Sequence, residues 1–187
     1  MKKSLIMSAG VLVGLTFGGY VGNTVVNQSI EARTTQKSTT RKITAKVGKK
    51  SMALTVNPKN IRVQKMTEPD GKEVQVLLIK GTFKNTGKGT DTPAVSFGAK
   101  QETGKGVWSH IATYVPYANQ LTAEDENLNK RLNDELEPNA SVDALLIYKL
   151  EGNGKFKIKS MFDGKGALTI NVDKLIKNEQ PQSSQSH

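Results

Sequence analysis

The chain of 187 residues contains no cysteine. Disulfides, thiol catalysis and thiolate zinc sites are therefore excluded, as is a lipid-bearing cysteine at the start of a mature protein. Histidine is nearly absent as well, with His110 inside the body of the chain and His187 at its end. Catalysis by a triad wants a histidine held between a nucleophile and an acid. Ser109 precedes His110, but neighbours on a strand point to opposite faces and cannot meet. No catalytic residue is assigned, and no enzyme is expected.

Acidic residues are missing from one long stretch. Residues 33–67 carry ten Lys or Arg and no Asp or Glu, whereas residues 68–187 carry 15 basic and 16 acidic groups. Essentially all of the positive excess beyond residue 32 thus lies in an N-terminal segment, an electrostatic footprint for polyanions. Arg41, Lys42, Lys46, Lys49 and Lys50 are the candidate polyanion-binding residues. The same charge has two other readings, a soluble stalk and an internal partner for the acidic stretch 124–137.

Charge is also absent from residue 5 to residue 26, directly after Lys2 and Lys3. A basic start followed by an apolar run is the pattern of a secretory signal. Ile30-Glu31-Ala32 offers a cleavage site with Arg33 as the mature start. The alternative is an uncleaved anchor, because the run approaches the ~20 apolar residues of a spanning helix. Gly10, Gly14, Gly18 and Gly22 would line one face of such a helix. Either way the destination is outside the membrane, secreted or held at the cell surface.

Past this segment, residues 33–42 and 177–187 are polar and read as a basic flexible arm and a disordered tail. Between them, residues 43–176 alternate apolar and polar side chains in short runs broken by Gly, Asn and Asp. That is a strand pattern. Expected strands include 52–56 and 61–66, parted by Asn57-Pro58-Lys59-Asn60, then 74–83, 94–100, 107–115, 141–150, 155–162 and 167–172. Seven to eight strands at this spacing predict a mainly β fold, a β-sandwich. One helix is expected at 123–136, with Leu121, Leu128, Leu132 and Leu136 as its apolar stripe, Thr122 as N-cap and Pro138 as terminator.

Within this frame, Ile79-Lys80-Gly81-Thr82-Phe83-Lys84-Asn85-Thr86-Gly87 resembles a strand followed by the Asn-Thr-Gly signature of telokin-like, immunoglobulin-like domains. These domains occur in uncharacterised secreted and lipid-anchored proteins of Gram-positive bacteria. Leu136-Glu137-Pro138-Asn139-Ala140-Ser141, leading into Ala144 to Leu150, is similar to their loop and aliphatic strand, with Asn139 where the family has glycine. The resemblance spans roughly residues 52–172 and implies an immunoglobulin-like sandwich with one inserted helix. It implies no chemistry, and this chain lacks the family's anchoring cysteine.

Cofactor and metal sites find no support. Asp125, Asn127 and Asn129 alternate like calcium ligands, but the turn glycine and closing glutamate are missing and the segment reads as helix. Gly87-Lys88-Gly89 and Gly164-Lys165-Gly166 are hairpin turns, since neither leads from a strand into a helix N-terminus. Among aromatics, Trp108 is expected in the core, while Trp108, Tyr114 and Tyr117 would make a contact surface for a sugar or peptide if exposed together.

The function these features imply is an exported binding module, its partner an anionic cell-wall polymer or an unidentified protein, with no specific nucleic acid. An inhibitor or accessory protein of an extracellular enzyme is the alternative, presenting hairpin loops such as 101–106. The signal pattern generates a direct test: mass spectrometry of culture supernatant should find a protein beginning at Arg33, and residues 1–32 retained only in membranes would overturn that reading.

Overall fold

The computed structural model describes residues 39–179, and their side chains as far as Lys177. The signal segment, with Ala32 and Arg33, lies outside the described residues, as do residues 33–38 of the arm and 180–187 of the tail. No helix among the described residues is long and apolar enough to cross a membrane.

Two of the expected strands are one. Met52, Leu54 and Val56 point inward, and so do Ile61 and Val63, but on opposite parity. A β-bulge between Val56 and Ile61 reconciles them within a single strand, Lys50–Thr67, taking up the four residues Asn57 to Asn60. Pro58, which has no N–H to give a ladder, is accommodated there. This strand is β2. It follows β1, Arg41–Val47, across the two-residue turn Gly48-Lys49, and Gly48 takes a φ of +55° that a side chain would strain. The arm therefore ends sooner than expected, because Arg41 and Lys42 already pair with Val56 and Thr55 in the sheet.

The remaining strands are β3 Glu73–Asn85, β4 Phe97–Gly104, β5 Val107–Ile111, β6 Ser141–Lys149, β7 Lys155–Ser160, β8 Asp163–Lys165 and β9 Ala167–Asn171. They form two antiparallel sheets, a five-stranded one ordered β6-β3-β2-β1-β8 and a four-stranded one ordered β5-β4-β7-β9. The fold is mainly β. Two short edge features were not expected from the sequence: β8, where a turn was read, and the helix α2, Val172–Glu179, where the tail was placed to begin at residue 177. Val172 is fully buried and Leu175 and Ile176 pack on the core, so apolar contact carries the chain on as helix.

One core cluster draws on both sheets, with Leu54, Leu77, Ile79 and Phe83 from the first and Phe97, Phe156, Ile158 and Leu168 from the second. Aromatic rings span them: Tyr148 lies 5.1 Å from Phe156, and Phe83 lies 6.0 Å from Phe97. Each fully buried large side chain contributes about 1.5–3 kcal/mol. A second cluster covers the outward face of the five-stranded sheet, where Met66, Val76, Leu78, Leu145 and Ile147 meet Leu128 of the helix α1, Ala123–Lys130. This explains why β3 and β6 are apolar on both faces.

Helix α1 starts as expected, its N-cap Thr122 accepting a hydrogen bond from the Asp125 N–H at 3.2 Å. It ends early. A 3-10 turn at Arg131–Asn133 follows, and the chain is extended by Asp134, so the predicted 123–136 helix is too long. The reason is Leu136, whose N–H and C=O both bond to Asp91, at 2.9 and 3.1 Å. A backbone already committed to an isolated bridge cannot close helical bonds. The leucine stripe is divided accordingly: Leu128 lies in the second cluster, whereas Leu132 and Leu136 lie in the main core.

That bridge is held by Asn85. Its side chain is fully buried, donates to the carbonyls of Leu136 and Gly89 at 2.7 and 2.8 Å, and accepts from the Gly87 N–H at 2.9 Å. Asn85→Ala would take the side-chain partner from the Gly87 N–H and the Gly89 carbonyl and remove one of the two bonds to the Leu136 carbonyl, a loss of about 1–3 kcal/mol. Thermal unfolding should show a melting point lowered by several degrees, and an unchanged one would refute the assignment. Tyr148 is the converse case, a fully buried ring whose hydroxyl has no hydrogen-bond partner among the described residues. Burial pushes its pKa above the ordinary tyrosine range. In the unfolded chain it ionises near pH 10. The unfolded state therefore loses this proton first, and the stability present below about pH 10 is lost as pH rises. Tyr148→Phe should raise stability by about 1 kcal/mol and flatten that alkaline loss, as urea unfolding at pH 7 and pH 10.5 would reveal.

Candidate functional site

The five basic residues singled out in the sequence do not form one patch. Lys46 is the last residue but one of β1, Lys49 sits in the turn and Lys50 opens β2, so these three gather at one end of the sheet. Arg41 and Lys42 stand at the far end of β1, about 13–17 Å from Lys46 at 3.3 Å per residue. All five are exposed in sequence strands or turns rather than on a loose arm.

The hairpin end carries a cleft of about 150 Å³, lined by Ala45, Lys46, Val47, Lys50, Ser51, Asp91, Val95, Ser96 and Phe162. Its walls are unusually apolar for an open surface, because Val47, Val95 and Phe162 are 44%, 57% and 51% exposed. Met161 adjoins them at 63%. Asp91 lies at the inner wall and is only 8% exposed. Its carboxylate accepts from the Thr92 N–H at 3.0 Å and faces the Lys50 ammonium at 3.6 Å. Lys46 and Lys49 have no ion pair among the described residues. The cleft thus joins apolar contact area to the unpaired Lys46 ammonium, with Lys49 in the turn beside it, a combination suited to an anionic ligand with an apolar or sugar-like body.

Local sequence explains the shape of this end. The loop after β3 folds back onto the hairpin, with the Thr86 and Lys88 N–H groups bonded to the carbonyls of Ser51 and Lys49 at 2.7 and 3.0 Å. Gly87 is needed for the approach, since a Cβ there would sit 2.6 Å from the Ser51 nitrogen and 2.7 Å from the Lys49 oxygen. The Asn-Thr-Gly stretch is therefore a clamp on the cleft's floor. Val95 and Phe162, which line the cleft, carried no signal in the sequence beyond being apolar near turns.

The aromatic candidates do not form one surface, for Trp108 lies apart from the neighbouring pair Tyr114 and Tyr117. Trp108 is not in the core, contrary to expectation: it is half-buried on the solvent face of β5, with the Lys157 ammonium 4.6 Å from its ring centre. Ile111, on the opposite parity, fills the inward position instead. Tyr114 packs beneath the α1 side of the molecule against the second cluster, and burial, reinforced by the nearby Glu68 charge, raises its pKa. Tyr117 is 54% exposed. Nearby, the Glu68 carboxylate accepts a 2.6 Å hydrogen bond from Lys149 and holds that ammonium above its ordinary pKa.

Residues weighed for other chemistry have structural partners. Ser109 shares a 3.0 Å hydrogen bond with Thr103, while His110 is exposed on the other face of β5. Asp125 pairs with Arg62 at 2.5 Å, and Asn129 donates to the Leu145 carbonyl at 2.9 Å. No cluster of three or more metal-ligating side chains occurs among the described residues. Lys80 pairs with Glu124 at 3.0 Å, so the acidic helix is matched by β2 and β3 rather than by Arg41 to Lys50.

Neither a protein-family model nor a curated protein sequence matches the chain. Solved structures do resemble it, one of them closely enough to share its fold. A candidate lipoprotein from Staphylococcus aureus is 13% identical, with a TM-score of 0.52, covering 73% of this chain and 96% of that one. A candidate lipoprotein from Bacillus subtilis is also 13% identical, with a TM-score of 0.46, covering 71% of this chain and 42% of that one. At such identity the staphylococcal likeness is one of fold alone.

Proposed function

We propose that this chain is an exported binding module of the cell envelope, an immunoglobulin-like sandwich that holds an anionic envelope polymer at the hairpin cleft. The carrying observation is the cleft itself, where exposed Val47, Val95 and Phe162 stand beside Lys46 and Lys50, with Lys49 in the adjoining turn. The description of the staphylococcal neighbour as a candidate lipoprotein supports an envelope setting. Without a cysteine, attachment here would rest on the N-terminal segment or on the polymer rather than on a lipid. The role is binding rather than catalysis, a reading favoured by Ser109 and His110 facing opposite sides of an edge strand.

Recognition through exposed ammonium groups fades with salt, because charges are screened beyond a Debye length of about 10 Å at 0.1 M. Replacing Lys46 and Lys49 with Gln, and sparing Lys50 for its contact with Asp91, should lower retention on purified cell wall or anionic vesicles at least about tenfold at low salt, whereas replacing Arg41 and Lys42 at the far end of β1 should change it far less. The melting temperature should stay within a few degrees, since such surface changes typically cost within about 0.5 kcal/mol. Undiminished retention by the Lys46 and Lys49 variant would overturn the reading.

A further inference from the structure

The solvent face of the four-stranded sheet carries a second cationic surface. Residues of one parity point inward on every strand there: Phe97, Ala99 and Gln101 on β4, Phe156 and Ile158 on β7, Leu168 and Ile170 on β9. The other parity faces out, and it presents Lys100 and Glu102 on β4, Lys155, Lys157 and Lys159 on β7, and Trp108 and His110 on β5. Four lysines thus share a face with one acid, and Glu102 already accepts a hydrogen bond from the Gly106 N–H at 3.2 Å.

The register sharpens the point. Lys100 is directly opposite Lys157 on one side and His110 on the other. Like charges placed directly across a ladder destabilise a sheet, the reverse of what surface design for stability would select. None of the four lysines has an ion pair among the described residues. Only the Trp108 ring, under the Lys157 ammonium at 4.6 Å, offsets the crowding. The face lacks its counter-charge.

We infer that this face binds a linear phosphate polymer without bases, laid along β7. Alternate residues of a strand are about 6.6–6.8 Å apart, so Lys155, Lys157 and Lys159 form a row of ammonium groups at a spacing suited to successive phosphates of a phosphodiester chain or to every second phosphate of the shorter-stepped polyphosphate. The face carries lysine and no arginine among its outward residues. Lysine acts as a point charge toward phosphate, so a row of lysines suits a polymer held by repeated charge rather than by the bidentate fork of arginine. Nucleic acid is disfavoured because base recognition needs open stacking platforms, and the single tryptophan has a cation over its ring. This surface is built from residues other than those of the cleft and does not depend on the cleft reading.

Trp108 is the sole tryptophan and reports on the face directly. Titrating the purified protein with inorganic polyphosphate at low salt should change its emission saturably, with the affinity falling at least tenfold between about 50 and 200 mM salt. Lys100→Gln with Lys157→Gln should weaken binding at least tenfold by calorimetry, a readout untouched by the altered indole surroundings. Should that pair fail to fold, Lys155→Gln with Lys159→Gln serves the same purpose. Lys46→Gln with Lys49→Gln should leave the Trp108 response unchanged, which separates failure here from failure at the cleft. An emission spectrum indifferent to polyphosphate, full affinity in the lysine variants, or tighter binding of single-stranded DNA of equal charge would each overturn the inference.

Discussion

The amide of Asn85 is the contact on which the hairpin end of the molecule depends. Three hydrogen bonds from one buried side chain tie the end of β3 to Gly87, Gly89 and Leu136. The backbone joins in, since the Asn85 N–H bonds to the Ala140 carbonyl and its own carbonyl accepts from Asn139, each at 2.9 Å. Such a group is tolerated inside a core only when its hydrogen-bonding capacity is met, and here the loops before β4 and β6 are shaped to meet it. The loop that Asn85 fixes then lies on the β1–β2 turn, so the floor of the cleft inherits its position from an interaction made on its far side.

This ordering clarifies which features could be read along the chain. Alternation located the strands because a half-buried strand must repeat every two residues, and Thr122 marked the start of α1 because an N-cap acts locally. The end of that helix was not local. It was set by Asp91 and Asn85, distant in sequence from Leu136, and a leucine stripe continues through 132 and 136 whether or not the backbone does. The bulge in β2 was hidden likewise, since Asn-Pro-Lys-Asn has the composition of a turn. Only the pairing of Met52 to Val56 and of Ile61 to Thr67 with one strand, β3, reveals continuity.

The binding residues show the same limit. Counting charge found Lys46, Lys49 and Lys50, but could not divide them from Arg41 and Lys42, which the strand carries to its other end. Trp108 was assigned inward because a lone tryptophan in a sandwich usually fills the core. Parity decides otherwise once Ile111 is known to be the buried residue of β5, and the Lys157 contact exists only because β4 brings β5 and β7 together on one face.

The fold also sorts charges by whether they are answered. On the helix-covered side, Arg62, Lys80 and Lys149 each meet a carboxylate, from Asp125, Glu124 and Glu68. These pairs hold α1 and its flanking loop over the second apolar cluster, and they consume acids that would otherwise neutralise the surface. The lysines of the hairpin end other than Lys50, and those on the open face of the four-stranded sheet, have no such pair among the described residues. The exposed Lys80–Glu124 pair contributes only about 0–1 kcal/mol, so its larger effect is on where potential remains. A chain whose later residues are nearly neutral by composition thereby keeps a cationic sheet face, because the acids are spent on the opposite side of the molecule.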